Sequence, residues 1–490
     1  MLFNSWQYAV FLPLVAAAYF LVPHRVRWVL LLGASYYFYM SWNPNLVFLI
    51  LFTTASSYTA ALGVERSRSE KARRAWLAGG VCLSLACLFF FKYFNFFSES
   101  VTALLRAVSL PASDFTLNII LPVGISFYTF QTLSYAIDVY RGQMKAERHF
   151  GIYALYVSFF PQLVAGPIER AVTLLPQFRE EHRPDAAAFS YGCHQIAWGL
   201  FKKVVVADTA AVYVDKVYGD LSMCAPMGYV IATLLFAFQV YCDFSGYSDI
   251  ALGSARILGF RLMRNFRCPY FARSIKDFWR RWHISLSTWF QDYVYIPLGG
   301  SRCGRARHLR NLFLTFLVSG LWHGAKWTFV AWGALFGVLS MADVLVIPRL
   351  DRFERSRGKI GRRAVQLLRW AVCFGLVCVC WVFFRAETMS DALYIVSRLP
   401  YALWMPVQNL AAALGTIGLT GGALWGMLAA LAALTVYDAV ETFYGDPIAL
   451  LQRQAAPVRW GVRYAVYLAV LLVALTRPEG TTAEFIYFQF

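Results

Sequence analysis

Apolar runs of about twenty residues recur along nearly the whole chain, separated by short polar stretches. That is the length a helix needs to cross a bilayer. The runs fall at about 6–22, 26–42, 46–63, 75–95, 117–137, 150–167, 190–207, 226–250, 310–323, 326–346, 367–384, 409–437 and 460–476. The pattern predicts an all-α polytopic membrane protein with about 11–13 transmembrane or re-entrant helices. Some runs are broken, notably 150–167 by Pro161, Gly166 and Pro167. Such a segment is expected to re-enter rather than span, where protein or water shields its backbone. Pro122 and Gly124 likewise predict a break within the span at about 117–137, beside Ser126, Thr129 and Gln131. The first span has no basic residue ahead of it and Pro23-His24-Arg25 behind it, so no cleavable signal peptide is read.

Basic residues orient the spans. The stretch 1–5 has no charged side chain, Arg25 and Arg27 follow the first span, and Trp42–Asn45 is uncharged. Arg66, Arg68, Lys71, Arg73 and Arg74 then follow the third span, and Arg141, Lys145 and Arg148 the fifth. Basic loops alternate with neutral ones, which predicts an N-terminus outside and a cytoplasmic basic stretch at 349–369. Only 15% of residues are charged, well below a soluble domain. The net charge of +18 sits mostly in loops, which favours anionic membrane lipid over nucleic acid. None of the ten Cys forms a CxxC pair, and neither disulfides nor a metal site is expected.

Against this background, Lys276–Trp289 packs His283, Arg280, Arg281 and three Trp, including Trp282, between apolar runs. Ser319–Ala325 places Trp322 and His323 inside an apolar span. Ionisable groups at bilayer depth are costly and therefore functional candidates, and imidazole suits general-base work near neutral pH. A lone membrane His is often a packing residue. Here the small Gly324-Ala325 beside His323, and the arginines beside His283, favour chemistry. Arg280, Arg281 and Lys276 are candidates for the phosphates of a donor. Asp243 and Asp249, in an otherwise apolar run, are expected to pair with Arg280 or Arg281 in a structural role. Ser285, Ser287 and Thr288 lack the GxSxG context of a serine nucleophile. The other five His residues lie near loops or span ends and are given no chemistry.

Phe278–Trp289, then Asp292–Gly300, then Leu321–Ala325 resemble the membrane-bound O-acyltransferase (MBOAT) family, in its bacterial alginate and peptidoglycan O-acetyltransferase branch. The resemblance runs from residue 1 through Tyr241–Asp249 and Trp381–Arg385 to Phe490, so 1–490 reads as one membrane domain with a catalytic core at about 117–340. It implies a multi-helix fold around a central tunnel, His323 as the principal catalytic residue and His283 as the second. It also implies acetyl-CoA or an acylated carrier protein as donor, a bacterial cytoplasmic (inner) membrane location, an extracytoplasmic acetyltransferase partner and a polysaccharide acceptor. Trp282, Trp322, Asp243, Asp249, Ser126 and Gln131 are expected to support the site. A lipid O-acyltransferase would share the chemistry. A polysaccharide or lipid transporter would instead predict inverted repeats, and none is evident.

The aromatic tail 484–490 is expected to dock against the membrane domain, since four rings are costly to leave in water. Its simplest role is an interfacial anchor. The sharper one makes Tyr487, its single hydroxyl, an acyl carrier.

Overall fold

A computed structural model describes the chain except residues 114, 120, 165, 405, 477–484 and 487–490, and except the side chains of 403 and 406–408. Among the described residues all regular structure is helical. Seven helices are long and apolar enough to cross a membrane: Pro44–Arg66, Glu70–Ala107, Pro226–Ile257, Trp327–Arg355, Lys359–Arg385, Gly421–Tyr444 and Ala456–Thr476. Trp6–Leu21 is apolar but shorter. The chain therefore forms an all-α multi-pass membrane protein, with the remaining apolar runs taken up by shorter, less apolar or broken helices. The run at 150–167, for example, becomes Phe150–Ser158 and Phe160–Leu163, split at Phe159 ahead of Pro161.

The chain divides into two compact units, Met1–Cys193 with Ile250–Met263, and His194–Asp249 with Arg264–Phe490. In the first, the break expected within the span at about 117–137 is instead the start of a helix, Ile125–Tyr140. Gly124 caps it at φ 76°, and a Cβ there would lie 2.8 Å from the Leu163 carbonyl oxygen. Both the left-handed backbone and the close approach call for glycine.

Two close contacts build the second unit. Helices Arg305–His323 and Trp327–Arg355 form a hairpin whose backbones touch at glycines. A Cβ on Gly333 would sit 2.5 Å from the Phe316 carbonyl oxygen and 3.0 Å from the Gly320 Cα. Small residues at such a crossing let membrane helices pack through their backbones. Elsewhere, Gly246 on Pro226–Ile257 meets the π-helical turn Phe201–Ala207, and a Cβ there would lie 2.7 Å from the Gly199 carbonyl oxygen.

Candidate active site

The site begins with a tight turn. Ser274 caps the helix Ile275–Trp279 by accepting from the Asp277 N–H, and after residues 280–283 the helix Ile284–Phe290 begins. Between them His283 takes φ 41° and ψ 55°, a left-handed conformation that a side chain with a Cβ rarely adopts. Asn265 holds it there. Its carbonyl accepts the Ile284 N–H at 2.9 Å, while its side-chain oxygen accepts the Ser285 N–H at 3.2 Å and the Ser285 hydroxyl at 2.6 Å. Two residues on, the Arg267 N–H donates to the Arg281 carbonyl at 2.9 Å. Backbone bonds thus pin both sides of His283. The hydroxyls that follow are engaged too: Ser287 donates to the Trp282 carbonyl and Thr288 to the Ile284 carbonyl.

His323 arrives from the other direction, as the last residue of the glycine-packed helix Arg305–His323. The two imidazoles meet edge to face, with ring centres 6.5 Å apart and planes at 66°. Both are buried, His283 at 0% and His323 at 2% exposure. Indoles and phenyl rings wall them in: Trp322 lies 4.9 Å and Trp332 4.8 Å from the His323 ring, Phe384 lies 5.6 Å from it, and Phe244 lies 4.5 Å from the His283 ring. Burial pushes the His283 imidazole down to about 3, because a charged ring is poorly solvated there. It is therefore neutral at physiological pH, with one ring nitrogen as donor and one as acceptor.

The other expected site residues fall in three groups. Trp322 and Trp282 belong to the aromatic wall, Trp282 packing on Trp381 at 4.9 Å. Lys276 and Arg280 are exposed, and Arg281 pairs with Asp277 at 2.8 Å. Ser126 and Gln131 lie in the first unit, where Lys92 donates to Ser126 at 3.4 Å and Gln131 donates to the Tyr156 carbonyl at 2.7 Å.

The expected pairing of Asp243 and Asp249 with Arg280 or Arg281 is incorrect. Asp249 pairs with Lys202 at 2.8 Å, and Asp243 with Lys203 at 2.6 Å, which also meets Asp208 at 2.8 Å. The reason is the Gly246 contact, which presses the π-helical turn onto this face and brings its two lysines to the two carboxylates. Neither lysine was singled out from the sequence, since both fall inside the apolar run at about 190–207. Two acids on one buried face did signal that two bases were needed. Asn265 was missed altogether.

Asp243 does a second thing: its Oδ2 accepts the Ile486 N–H at 2.7 Å. Phe485 and Ile486 are buried, and the Phe485 ring lies 4.3 Å from Tyr247 and 5.9 Å from Phe244. This part of the tail is packed in the second unit, one ring away from His283. Tyr487 lies outside the described residues. Among those described, Cys268, Asp438 and Glu441 bring metal-type ligand atoms within 4.8 Å of one another. Arg264 already pairs with Glu441, and Tyr241 donates to Asp438 at 3.0 Å, so the cluster reads as an ion-pair network.

The chain is thus a multi-pass helical protein with two neighbouring, buried imidazoles in an aromatic pocket. Residues 148–384 match the membrane-bound O-acyltransferase family (MBOAT). The chain is 40% identical to the probable alginate O-acetylase AlgI of Azotobacter vinelandii over 442 residues, covering 90% of this chain and 85% of that protein. It is 38% identical to the probable alginate O-acetylase AlgI of Pseudomonas aeruginosa, covering 91% and 83%. It is 34% identical to the peptidoglycan O-acetyltransferase of Helicobacter pylori, covering 81% and 79%. The chain belongs to the MBOAT family, in the branch of these bacterial O-acetyltransferases, and is an O-acyltransferase.

Proposed function

We propose that this chain passes an acetyl group from a cytoplasmic thioester, acetyl-CoA, through the bacterial inner membrane for O-acetylation of a cell-surface polysaccharide. The observation that carries the reading is the pair of buried imidazoles 6.5 Å apart at the end of the glycine-packed hairpin. The names of the relatives, acting on alginate and on peptidoglycan, support a polysaccharide acceptor. Teichoic acid D-alanyltransferases also match, at 27% identity for that of Bacillus subtilis, and an acylated carrier protein is the corresponding alternative donor.

In this mechanism His323 accepts the proton of an attacking hydroxyl as its oxygen bonds to the thioester carbonyl carbon. The neutral His283 ring donates its N–H to the oxyanion that develops. Collapse breaks the carbon–sulfur bond, and the imidazolium of His323 returns its proton to the leaving thiolate. Lys276, Arg280 and Arg281 are the groups proposed to meet the donor's phosphates or a carrier's acidic face. Tyr487 is the proposed first acceptor, holding the acetyl as a phenyl ester before an extracytoplasmic acetyltransferase passes it to the polymer. The N-terminus lies outside in this topology, and the tail leaves the last span on the same side.

The deciding test is His323→Ala in purified, folded protein. Transfer from acetyl-CoA should disappear while the melting temperature stays within a few degrees of wild type. Retained transfer would end the His323 mechanism.

A further inference from the structure

Away from the histidines, the second unit holds a cleft of about 900 Å³ between Pro226–Ile257, the loop and helix around 270–281, Lys359–Arg385 and Gly421–Tyr444. Neither histidine lines it. Three of its walls are membrane-crossing helices, so it opens at bilayer depth. Its lip carries Leu367 and Phe443, 64% and 68% exposed, as expected of side chains facing lipid tails rather than water.

The lining is sorted by polarity. Along Lys359–Arg385, Arg363, Leu367, Trp370 and Phe374 share one face, running roughly 16 Å from a cation to an aromatic floor. That floor is closed: the Phe374 ring lies 5.2 Å from Tyr270, which lies 5.8 Å from Phe238, and Trp370 donates to the Tyr270 carbonyl at 2.8 Å. Arg273 and Arg281 also line the cleft, giving three arginines against two carboxylates, Asp277 and Asp438. Asp277 is held by Arg281, and Asp438 accepts from Tyr241. Arg273 and Arg363 are both exposed; the Arg273 backbone N–H donates to Asp277 at 3.3 Å, and the carboxylate that feels the Arg273 charge is Glu354, outside the cleft lining.

We propose that this cleft is a binding site for one anionic phospholipid of the cytoplasmic leaflet. Its phosphate rests on Arg273 and Arg363, and an acyl chain lies over Leu367, Trp370 and Phe374. A cation-ended, apolar-floored slot at bilayer depth matches an amphiphile, and the excess of positive charge selects an anionic one. Arg363 lies in the basic stretch 349–369, the side on which anionic lipid meets juxtamembrane arginines. Coenzyme A carries the same phosphate chemistry, but its pantetheine arm bears two amides where the apolar floor fits hydrocarbon. Arg281 is the one residue this cleft shares with the donor groups proposed above.

The test is native mass spectrometry of the full-length protein in detergent, titrated with phosphatidylglycerol and with phosphatidylcholine of the same acyl chains. One phosphatidylglycerol should be retained in preference to phosphatidylcholine. R273Q and R363Q should each weaken its retention about fivefold, and together about 25-fold, while phosphatidylcholine is unaffected. The charge-keeping pair R273K/R363K should restore most of the loss, which separates lost charge from lost folding. Equal retention of the two lipids, or full retention in R273Q/R363Q, would overturn the proposal. So would displacement of phosphatidylglycerol by free coenzyme A, which would assign the cleft to the donor.

Discussion

His283 occupies a backbone region that costs an L-residue about 1–3 kcal/mol, so the surrounding bonds must over-determine it. Asn265 supplies most of them, and Asn265→Ala would leave the Ser285 hydroxyl and N–H without this acceptor. The expected cost is about 1–3 kcal/mol of stability, read as a lowered melting temperature in detergent, together with a fall in transfer rate. His283→Ala itself should slow transfer by about 10²-fold, the usual size of one oxyanion contact, and an unchanged rate would make it a packing residue. The same burial has a pH signature. With the folded imidazole at about 3 and an ordinary value of 6.5, the unfolded chain binds the extra proton first. Stability from this group is therefore complete above about 6.5 and falls as the pH drops toward 3. His283→Gln should flatten that part of an acid melting profile. The two histidines were legible in the sequence as charge where charge is expensive. Their left-handed and helix-end settings were not, since nothing in the residue string marks Asn265 as the clamp.

At the scale of elements, helix type and the long spans were legible because apolar length alone sets them. The Lys359–Arg385 and Pro226–Ile257 helices are close to the runs at about 367–384 and 226–250. Close approach was not legible, because it depends on which glycine meets which backbone. Gly246 decides that Lys202 and Lys203, rather than Arg280 and Arg281, neutralise Asp249 and Asp243. Gly333 decides where His323 stands. Gly333→Ala puts a methyl 2.5 Å from the Phe316 carbonyl oxygen, so the hairpin has to spread. Overpacking of this kind costs about 1–3 kcal/mol. The expected result is a destabilised protein whose transfer rate falls further than that of Gly375→Ala, where a Cβ meets nothing within 4 Å. Equal effects at the two glycines would mean that the hairpin contact does not position the base.

At the scale of the whole molecule, the tail is the part whose use is least fixed by apolar patterning. A membrane anchor would have no reason to bury its backbone, yet the Ile486 N–H is donated to Asp243, a carboxylate already engaged by Lys203. Phe485 fills a slot between Tyr247 and Phe244, and Phe244 is in ring contact with His283. A segment held this specifically beside a catalytic candidate is suited to presenting something, and the next residue in the chain is Tyr487. A phenyl ester transfers its acyl group more readily than an alkyl ester, because phenolate is the better leaving group. Tyr487→Phe keeps the ring and removes only the nucleophile. If Tyr487 carries the acetyl, this variant stays folded and membrane-bound, loses the acetylated C-terminal peptide in mass spectra, and leaves the polymer unacetylated in cells. If the tail is only an anchor, polymer acetylation is normal. The companion variant Asp243→Asn should loosen the tail and lower the rate in proportion, while Tyr487 remains available for slow acetylation.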